Sequence, residues 1–310
     1  MAITKSAAAL LMIQAKKESF SGHALQLGRQ DIWIDANELA DIARKSSFDL
    51  KCSNPRQLVN SQFLSGKDVV DDDYFFRSLG FDEVSSLDGS DFEGATFVHD
   101  LNRVPVPDHL LERFDVIYEL GTMEHIFHLP NVLSNIHHML KVGGCVVHGS
   151  PCSNAFQHGF YMFSPCFFFD YYQANGYEIL GSWLMRYRVN GQRELTTCEV
   201  IECWPESKVL HALNYIGSLD ARYYAFNIIV RKKASSTAGI VPQQGYYTKV
   251  WARVGQENRQ GEGPVETSSI KRRLFKLVNN IPVLRVTARS LYFRWIRWTS
   301  LSRNWKRIPN

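Results

Sequence analysis

Paired cysteines are missing from this chain. Its six, Cys52, Cys145, Cys152, Cys166, Cys198 and Cys203, form no C-x-x-C pair and no regular spacing. That leaves no pattern for a disulfide framework or a zinc knuckle, and a reducing cytoplasm is the expected compartment. Long apolar runs are missing too, since no window approaches the roughly 18–20 apolar residues of a membrane span. The opening MAITKSAAALLMIQAKKESF has no small-residue cleavage site, and its apolar positions continue at helical spacing to Phe20, so an amphipathic first helix is predicted. Neither H-E-x-x-H nor a two-His-one-carboxylate spacing occurs, although seven of the ten histidines lie between His99 and Gly149 with His158 just beyond. Core or surface histidines are therefore expected for most of them, and no metal centre. Acidic residues are absent from the last forty positions, where Lys271 to Asn310 carry eleven Lys or Arg; the first 270 residues carry 24 basic against 31 acidic side chains. The tail is a separate electrostatic object.

What is present is a globular composition. Over 310 residues, 45% are apolar and 21% charged, which excludes a disordered chain and allows a large core. HALQLGRQDIWI reads as a strand, and DANELADIARK as a helix capped by Asp35. The polar stretch from Ser46 to Val70 reads as loop with a short helix. DDDYFFRSLGF follows as a helix stopped by Gly80; DEVSSLDGS and GATFVHDLN are strands ending at Asp88 and Asp100. RFDVIYELG is an apolar strand, HLPNVLSNIHHMLKVGG a helix running to the Gly143-Gly144 stop, and CVVHGSP the next strand. SPCFFFDYYQANGYEI adds a helix and strand, and YYAFNIIVRKK a late strand expected to close the sheet edge. Residues 235–269 read as linker or extension around a short structured piece, YYTKVWARV, and 270–310 as a basic aromatic tail. Alternating strands and helices predict a mainly parallel sheet with helices on both faces. The loops after residues 27, 87, 99, 118 and 148 are then expected at one edge, where such sheets hold ligands.

The order of these motifs over residues 20 to 230 resembles the class I S-adenosylmethionine-dependent methyltransferases. FDVIYELGTMEHIFHLPNVLSNIHHMLKVGG is similar to that superfamily's fourth strand, the Glu-His pair after it, the following helix and the LKPGG turn, with Val142 in place of proline. VSSLDGSD resembles the second strand and VHDLN the third. The resemblance implies a doubly wound Rossmann-like domain over 1–234 with S-adenosylmethionine as cofactor. It implies Asp88 as acceptor for the ribose and Asp100 for the adenine amine, with Gly89, Leu101, Asn102, Glu119 and Gly121 beside them. The glycine-rich first motif differs: Gln26 stands for its acidic residue, Gly28 for the first glycine, Gln30 for the second and Ile32 for the third. A side chain at such a turn narrows the crevice. The cofactor carries no pyrophosphate, so the demand for bare backbone amides is weaker than in dinucleotide sites. Arg29 or Gln30 is expected to hold the methionine moiety instead.

For the acceptor side, an imidazole at the tip of the fourth strand sits where a substrate hydroxyl would lie and titrates near working pH, which singles out His125 as proton acceptor. The other reading of His125 is a capping or packing histidine. His158 and Tyr161, in the PCSNAFQHGFYMFSP segment after the fifth strand, are the next candidates, against a buried aromatic loop. No Asn-Pro-Pro-aromatic tetrapeptide occurs, which favours oxygen or another nucleophile of a small molecule or glycan over the amines of nucleic-acid bases. The tail interleaves Trp295, Trp298 and Trp305 with its cations, the pattern of a segment peripheral to the inner face of a membrane or bound to an anionic glycan. Nucleic acid ranks lower, because no recognition module accompanies the tail. Three functions are thus open: a methyltransferase; a non-catalytic relative that binds or scaffolds at a membrane surface; and a nicotinamide-dependent oxidoreductase, which the absent G-x-G-x-x-G disfavours most.

Overall fold

The computed structural model describes residues 2–52, 68–189, 195–205, 207–213, 219–260, 291, 295 and 304–308. It opens with strand β1 (Ala2–Ile3) and helix α1 (Lys5–Glu18). Gly28 then sets the first division of the chain. Its φ of +68° is a conformation L side chains rarely adopt, and it breaks the stretch expected as one strand into β2 (His23–Leu27) and β3 (Asp31–Ile32). β3 leaves to pair in parallel with β1 in a small sheet. Asp35 caps α2 (Ala36–Lys45) through a capping box with Glu38, and Asp71 caps α3 (Asp72–Leu79), which stops at Gly80 with φ +118°. The central part of the stretch from Ser46 to Val70 lies outside the described residues.

The main sheet is built from β2 with β4 (Glu83–Asp88), β5 (Phe97–Val98), β6 (Phe114–Glu119), β7 (Leu140–Ser153), β8 (Glu178–Val189), β9 (Leu195–Glu202), β10 (Tyr223–Arg231) and β11 (Lys306–Arg307). Among the described residues its order is β11-β9-β8-β10-β7-β6-β2-β4-β5. The five neighbours β5, β4, β2, β6 and β7 are all parallel. The sheet is doubly wound: from β2 the chain moves outward through β4 to β5, then crosses back and moves the other way through β6 to β7. Right-handed crossovers accordingly set the connecting helices on opposite faces. Alternation along the strands separates the two faces. Ala24, Val116, Tyr118 and Val147 pack in one cluster with α1, α2 and α3. Leu25, Ile117 and Val146 alternate with them and are equally buried. On that second side Phe168, from α5 (Pro165–Ala174), stacks on Phe226 at 5.8 Å.

Three expectations change. The first helix is no single amphipathic stripe: Ser6, Ala8, Ala9, Leu10, Leu11, Met12, Gln14 and Ala15 are all buried. The polar Gln14 is accommodated there by donating to Asn227 Oδ1 at 2.6 Å. The late strand β10 does not close the edge. It inserts between β7 and β8, antiparallel to both, because its central seven residues are apolar or satisfied on both faces and are buried. The helix after the fourth strand, α4 (Leu129–Met139), ends four residues before the glycines, since β7 already begins at Leu140. Gly144 presses so closely on β6 that a Cβ there would lie 2.8 Å from the Asp115 carbonyl.

The carbonyl end of α4 carries its own cation. Lys232, 5% exposed, donates through Nζ to the His137 carbonyl at 2.9 Å and the Leu140 carbonyl at 2.7 Å, as the helix dipole favours. Burial first, then the charge of Lys232, pushes the His137 imidazole down to about 4. A group with a depressed folded value contributes stability that is complete above its unfolded value of 6.5 and lost as pH falls through about 4. Replacing His137 by Gln is expected to flatten the urea-midpoint profile over that window relative to wild type; superimposable profiles would refute this.

A second compact unit comprises Cys203–Asp220 and Pro242–Trp305. It contains α6 (Lys208–Leu213) and α7 (Gly245–Gln260), and YYTKVWARV falls inside α7. The basic tail lies outside the described residues except for Leu291, Trp295 and 304–308. No helix among the described residues is long and apolar enough to cross a membrane.

Candidate functional site

The order of the parallel strands reverses between β2 and β6, so the loops that leave their carboxyl ends frame the ligand crevice. Those two loops are tied directly: the Thr122 hydroxyl donates to the Leu27 carbonyl at 2.5 Å, and Gly28 N donates to the Leu87 carbonyl of β4 at 2.8 Å. A Cβ on Gly28 would stand 2.7 Å from Thr122 Oγ1, so this glycine is required both by its φ and by the closeness of the β6 loop.

The side chains expected to hold the methionine moiety are engaged elsewhere. Arg29 forms a two-pronged pair with Asp72 of α3, at 3.0 Å from Nε and 2.9 Å from Nη2, and also donates to the Glu93 carbonyl. Gln30, buried, folds back over the turn. Its amide nitrogen donates to the Leu27 and Gly28 carbonyls and its backbone N–H to Gln26 Oε1. Its own Oε1 has no partner among the described residues. Ile32 is turned into the core with the cluster on the α1 side.

On the other side of Gly28 lie Asp88 and Gly89. Asp88 ends β4 half-buried, and among the described residues no group hydrogen-bonds its carboxylate. Gly89 has free space where a Cβ would be. Burial, then the charge of Asp31, raises the Glu93 carboxyl, with Asp88 adding to the shift and the N-terminus and Arg29 opposing it. Asp100 is exposed and closes an Asx turn, accepting from Asn102 N and Nδ2 at 2.9 Å each; these bonds hold its carboxyl below the usual range. Leu101 is buried beneath it, while Asn102 bridges to the β6 side by accepting from His128 N at 3.0 Å.

Glu119 points away from the crevice. Fully buried, it accepts through Oε1 from the backbone N–H groups of Gly121, Thr122 and Met123, and through Oε2 from His148 Nδ1 at 2.9 Å and the Ser150 hydroxyl at 3.1 Å. His148 Nε2 in turn meets the Tyr172 hydroxyl at 2.5 Å. Burial alone would raise the Glu119 carboxyl, yet the His148 bond and the backbone amides bring it below its ordinary value. Glu119 and Gly121 thus build the turn that carries the next residues.

Those residues come together. The 3-10 turn Met123–His125 presents Glu124 and His125, and the loop after β7 lies over it, with Phe160 N and Tyr161 N donating to the Glu124 carbonyl at 2.7 and 3.3 Å. Gly159 permits that approach: a Cβ there would be 2.6 Å from the same carbonyl oxygen. The rings of His125 and His158 consequently lie 5.0 Å apart, and His158 Nε2 is 3.7 Å from Glu124 Oε1. Tyr161 donates its hydroxyl to the Phe127 carbonyl at 2.8 Å. Burial, then His158, lowers the His125 imidazole. Glu124 entered the sequence reading only as a member of the Glu-His pair after the fourth strand, with no role given to it. It is fully buried, neither carboxylate oxygen has a hydrogen-bond partner among the described residues, and burial followed by the charge of Glu119 pushes it up to about 8. Around the cluster Phe127, Phe156 and Phe160 are exposed. A separate cavity of about 70 Å³ beneath α1, lined among others by Leu11, Leu120, Met185 and Tyr187, is far smaller than the ~300 Å³ at which ligand pockets begin.

The five segments paired by resemblance with strands one to five of the superfamily are the five parallel neighbours β2, β4, β5, β6 and β7. The arrangement is a doubly wound, Rossmann-like sheet. Solved structures with which the chain aligns include an S-adenosylmethionine-dependent methyltransferase of Thermotoga maritima, at 16% identity over 73% of this chain and 89% of that one, TM-score 0.33. Another from Archaeoglobus fulgidus aligns at 11% identity over 74% and 95%, TM-score 0.37. The Burkholderia thailandensis 1,6-didemethyltoxoflavin-N1-methyltransferase, with 1,6-didemethyltoxoflavin and S-adenosylhomocysteine bound, aligns at 13% over 73% and 76%, TM-score 0.30. At these values the likeness carries no argument about activity. No family model and no curated protein matches the chain.

Proposed function

We propose that the protein is an S-adenosylmethionine-dependent methyltransferase that acts on an oxygen or similar nucleophile of a small molecule or glycan. The observation that carries this reading is the half-buried Asp88 carboxylate, without a donor among the described residues, at the tip of β4 beside the open space at Gly89 and the strand-order reversal. A carboxylate so placed suits the paired hydroxyls of a ribose. The residues fit the cofactor at its adenosine end, where Asp88, Gly89, Asp100, Leu101 and Asn102 would hold it. At the methionine end Gln30 fills the turn, so that moiety is assigned to the backbone around Gly28. When bound, the cofactor supplies a methyl group on a sulfonium, already a good electrophile. The protein's task is then alignment, acceptance of one proton and exclusion of water. His125, His158 and Tyr161 would line the acceptor's side, and the exposed rings of Phe127 and Phe160 suit a sugar or aromatic ring.

Calorimetric titration with S-adenosylmethionine tests the reading without knowledge of the acceptor. Wild type is expected to bind in the micromolar range, and Asp88→Ala to bind about 10- to 150-fold more weakly, the loss of about 1.5–3 kcal/mol for hydrogen bonds to a charged group. No heat at millimolar ligand would overturn the proposal in favour of a non-catalytic relative. For the tail, sedimentation with anionic liposomes is expected to carry down the full chain but not a form ending at Ser268; equal sedimentation of both would remove the membrane contact.

A further inference from the structure

We propose that Glu124, His125 and His158 form a binding site for one divalent cation of the imidazole-preferring class, zinc(II) or iron(II). Their candidate ligand atoms all lie within 4.8 Å of one another. The closest pair, His158 Nε2 and Glu124 Oε1, is 3.7 Å apart. Two ligands bonded at about 2.0–2.2 Å to one tetrahedral ion stand roughly 3.3–3.6 Å apart, so this pair needs to close by only a few tenths of an ångström. The third ligand must move further, and His125 and His158 are exposed enough to turn.

The independent observation is Glu124. A buried carboxylate ordinarily collects donors, as Glu119 does five residues earlier with five of them. Glu124 is equally inaccessible and has none, while its carboxylate is directed at His158. Such a group stays protonated in isolation, and a cation bound by the two imidazoles would take the place of that proton. The scaffold also holds the ligands from two sides. Glu124 and His125 sit on the turn fixed by Glu119, and His158 sits on a loop pinned to the Glu124 carbonyl by Phe160 N and Tyr161 N. Two imidazoles and one carboxylate select zinc or iron(II) over magnesium or calcium, which take oxygen ligands.

Three protein ligands leave a coordination position open. Resting on the methyltransferase reading, that position takes the acceptor oxygen: bound to the cation, an acceptor hydroxyl loses its proton to solvent near neutral pH, and its oxygen lone pair then forms the bond to the methyl carbon as the carbon–sulfur bond breaks. The binding of the cation itself does not depend on that reading.

Cobalt(II) titrated into the reduced full-length protein, without cofactor or acceptor, tests the site through its visible d–d absorption. One equivalent is expected to bind with the spectrum of a low-coordinate nitrogen and oxygen site, to be displaced by zinc, and to raise the melting temperature. His125→Ala and His158→Ala should each weaken binding by more than the 10- to 100-fold that loss of an outer-shell partner costs. Glu124→Gln, if folded by circular dichroism, should do the same; if it does not fold, the two histidine variants decide. No binding at millimolar cobalt, a thiolate charge-transfer band that assigns the ion to cysteine, or binding unchanged in both histidine variants would overturn the proposal. Because calorimetry with S-adenosylmethionine is read separately, failure of the cation site and failure of the methyltransferase reading are distinguishable.

Discussion

Glu119→Ala is expected to destabilise the fold by about 3–5 kcal/mol, the range for removing one partner of a buried charged network. Three backbone N–H groups, His148 Nδ1 and the Ser150 hydroxyl would lose their acceptor together, in a place no water reaches. The milder Glu119→Gln keeps the shape but turns one acceptor into a donor, and about 1–3 kcal/mol is expected. The two differ in their pH behaviour as well. With its folded value held below the ordinary 4.5, Glu119 contributes stability that is complete above about 4.5 and lost as pH falls through the folded value. Gln cannot titrate, so the acid side of the stability profile should be flatter in Glu119→Gln than in wild type. Urea unfolding of the three proteins across pH 3 to 7 reads both effects. A Glu119→Ala protein with the wild-type midpoint would show that the network around it carries no stability.

Gly28→Val is expected to cost about 2–4 kcal/mol and to abolish S-adenosylmethionine binding. The left-handed φ of +68° costs a β-branched residue about 1–3 kcal/mol. The Cβ would also meet Thr122 Oγ1 at 2.7 Å and break its bond to the Leu27 carbonyl, which is worth about 1 kcal/mol more. Thr122→Ala separates the two contributions, since it removes the bond and the clash and leaves the φ. If Gly28→Val binds the cofactor as wild type does, the crevice between β2 and β6 is not the cofactor site.

The sequence made the frame of the fold legible because its signals are local. Asp35 with Glu38, Asp71 with Gly80, and the apolar run before Glu119 each act within a few residues, and each marks the element it was read to mark. What escaped is non-local. Leu140 reads as helix, yet its carbonyl and that of His137 are taken by Lys232, 92 residues from Leu140, and those of His138 and Met139 by the backbone N–H groups of Glu112 and Arg113. The strand Tyr223–Arg231 shows its apolar pattern but not its neighbours, which lie 71 to 86 residues upstream in β7 and 36 to 53 upstream in β8. At the site, nothing local marks Arg29 and Gln30 as engaged, since the partners that claim them, Asp72 and the carbonyls of the turn, are set by the packing of α3 and by Gly28. Glu124, His125 and His158 are separated along the chain by no motif spacing, and only the docking of one loop on another through Gly159 joins them.

The placement of β10 also bears on how the chain is completed during synthesis. With β10 running between β7 and β8, the sheet cannot be continuous before Tyr223–Arg231 is in place, and until then β7 lacks the strand that covers its edge. An open edge of that kind recruits other chains. The nascent protein is thus most exposed to aggregation late in its translation, and the segment Tyr223–Arg231 acts as the bolt that ends that exposure.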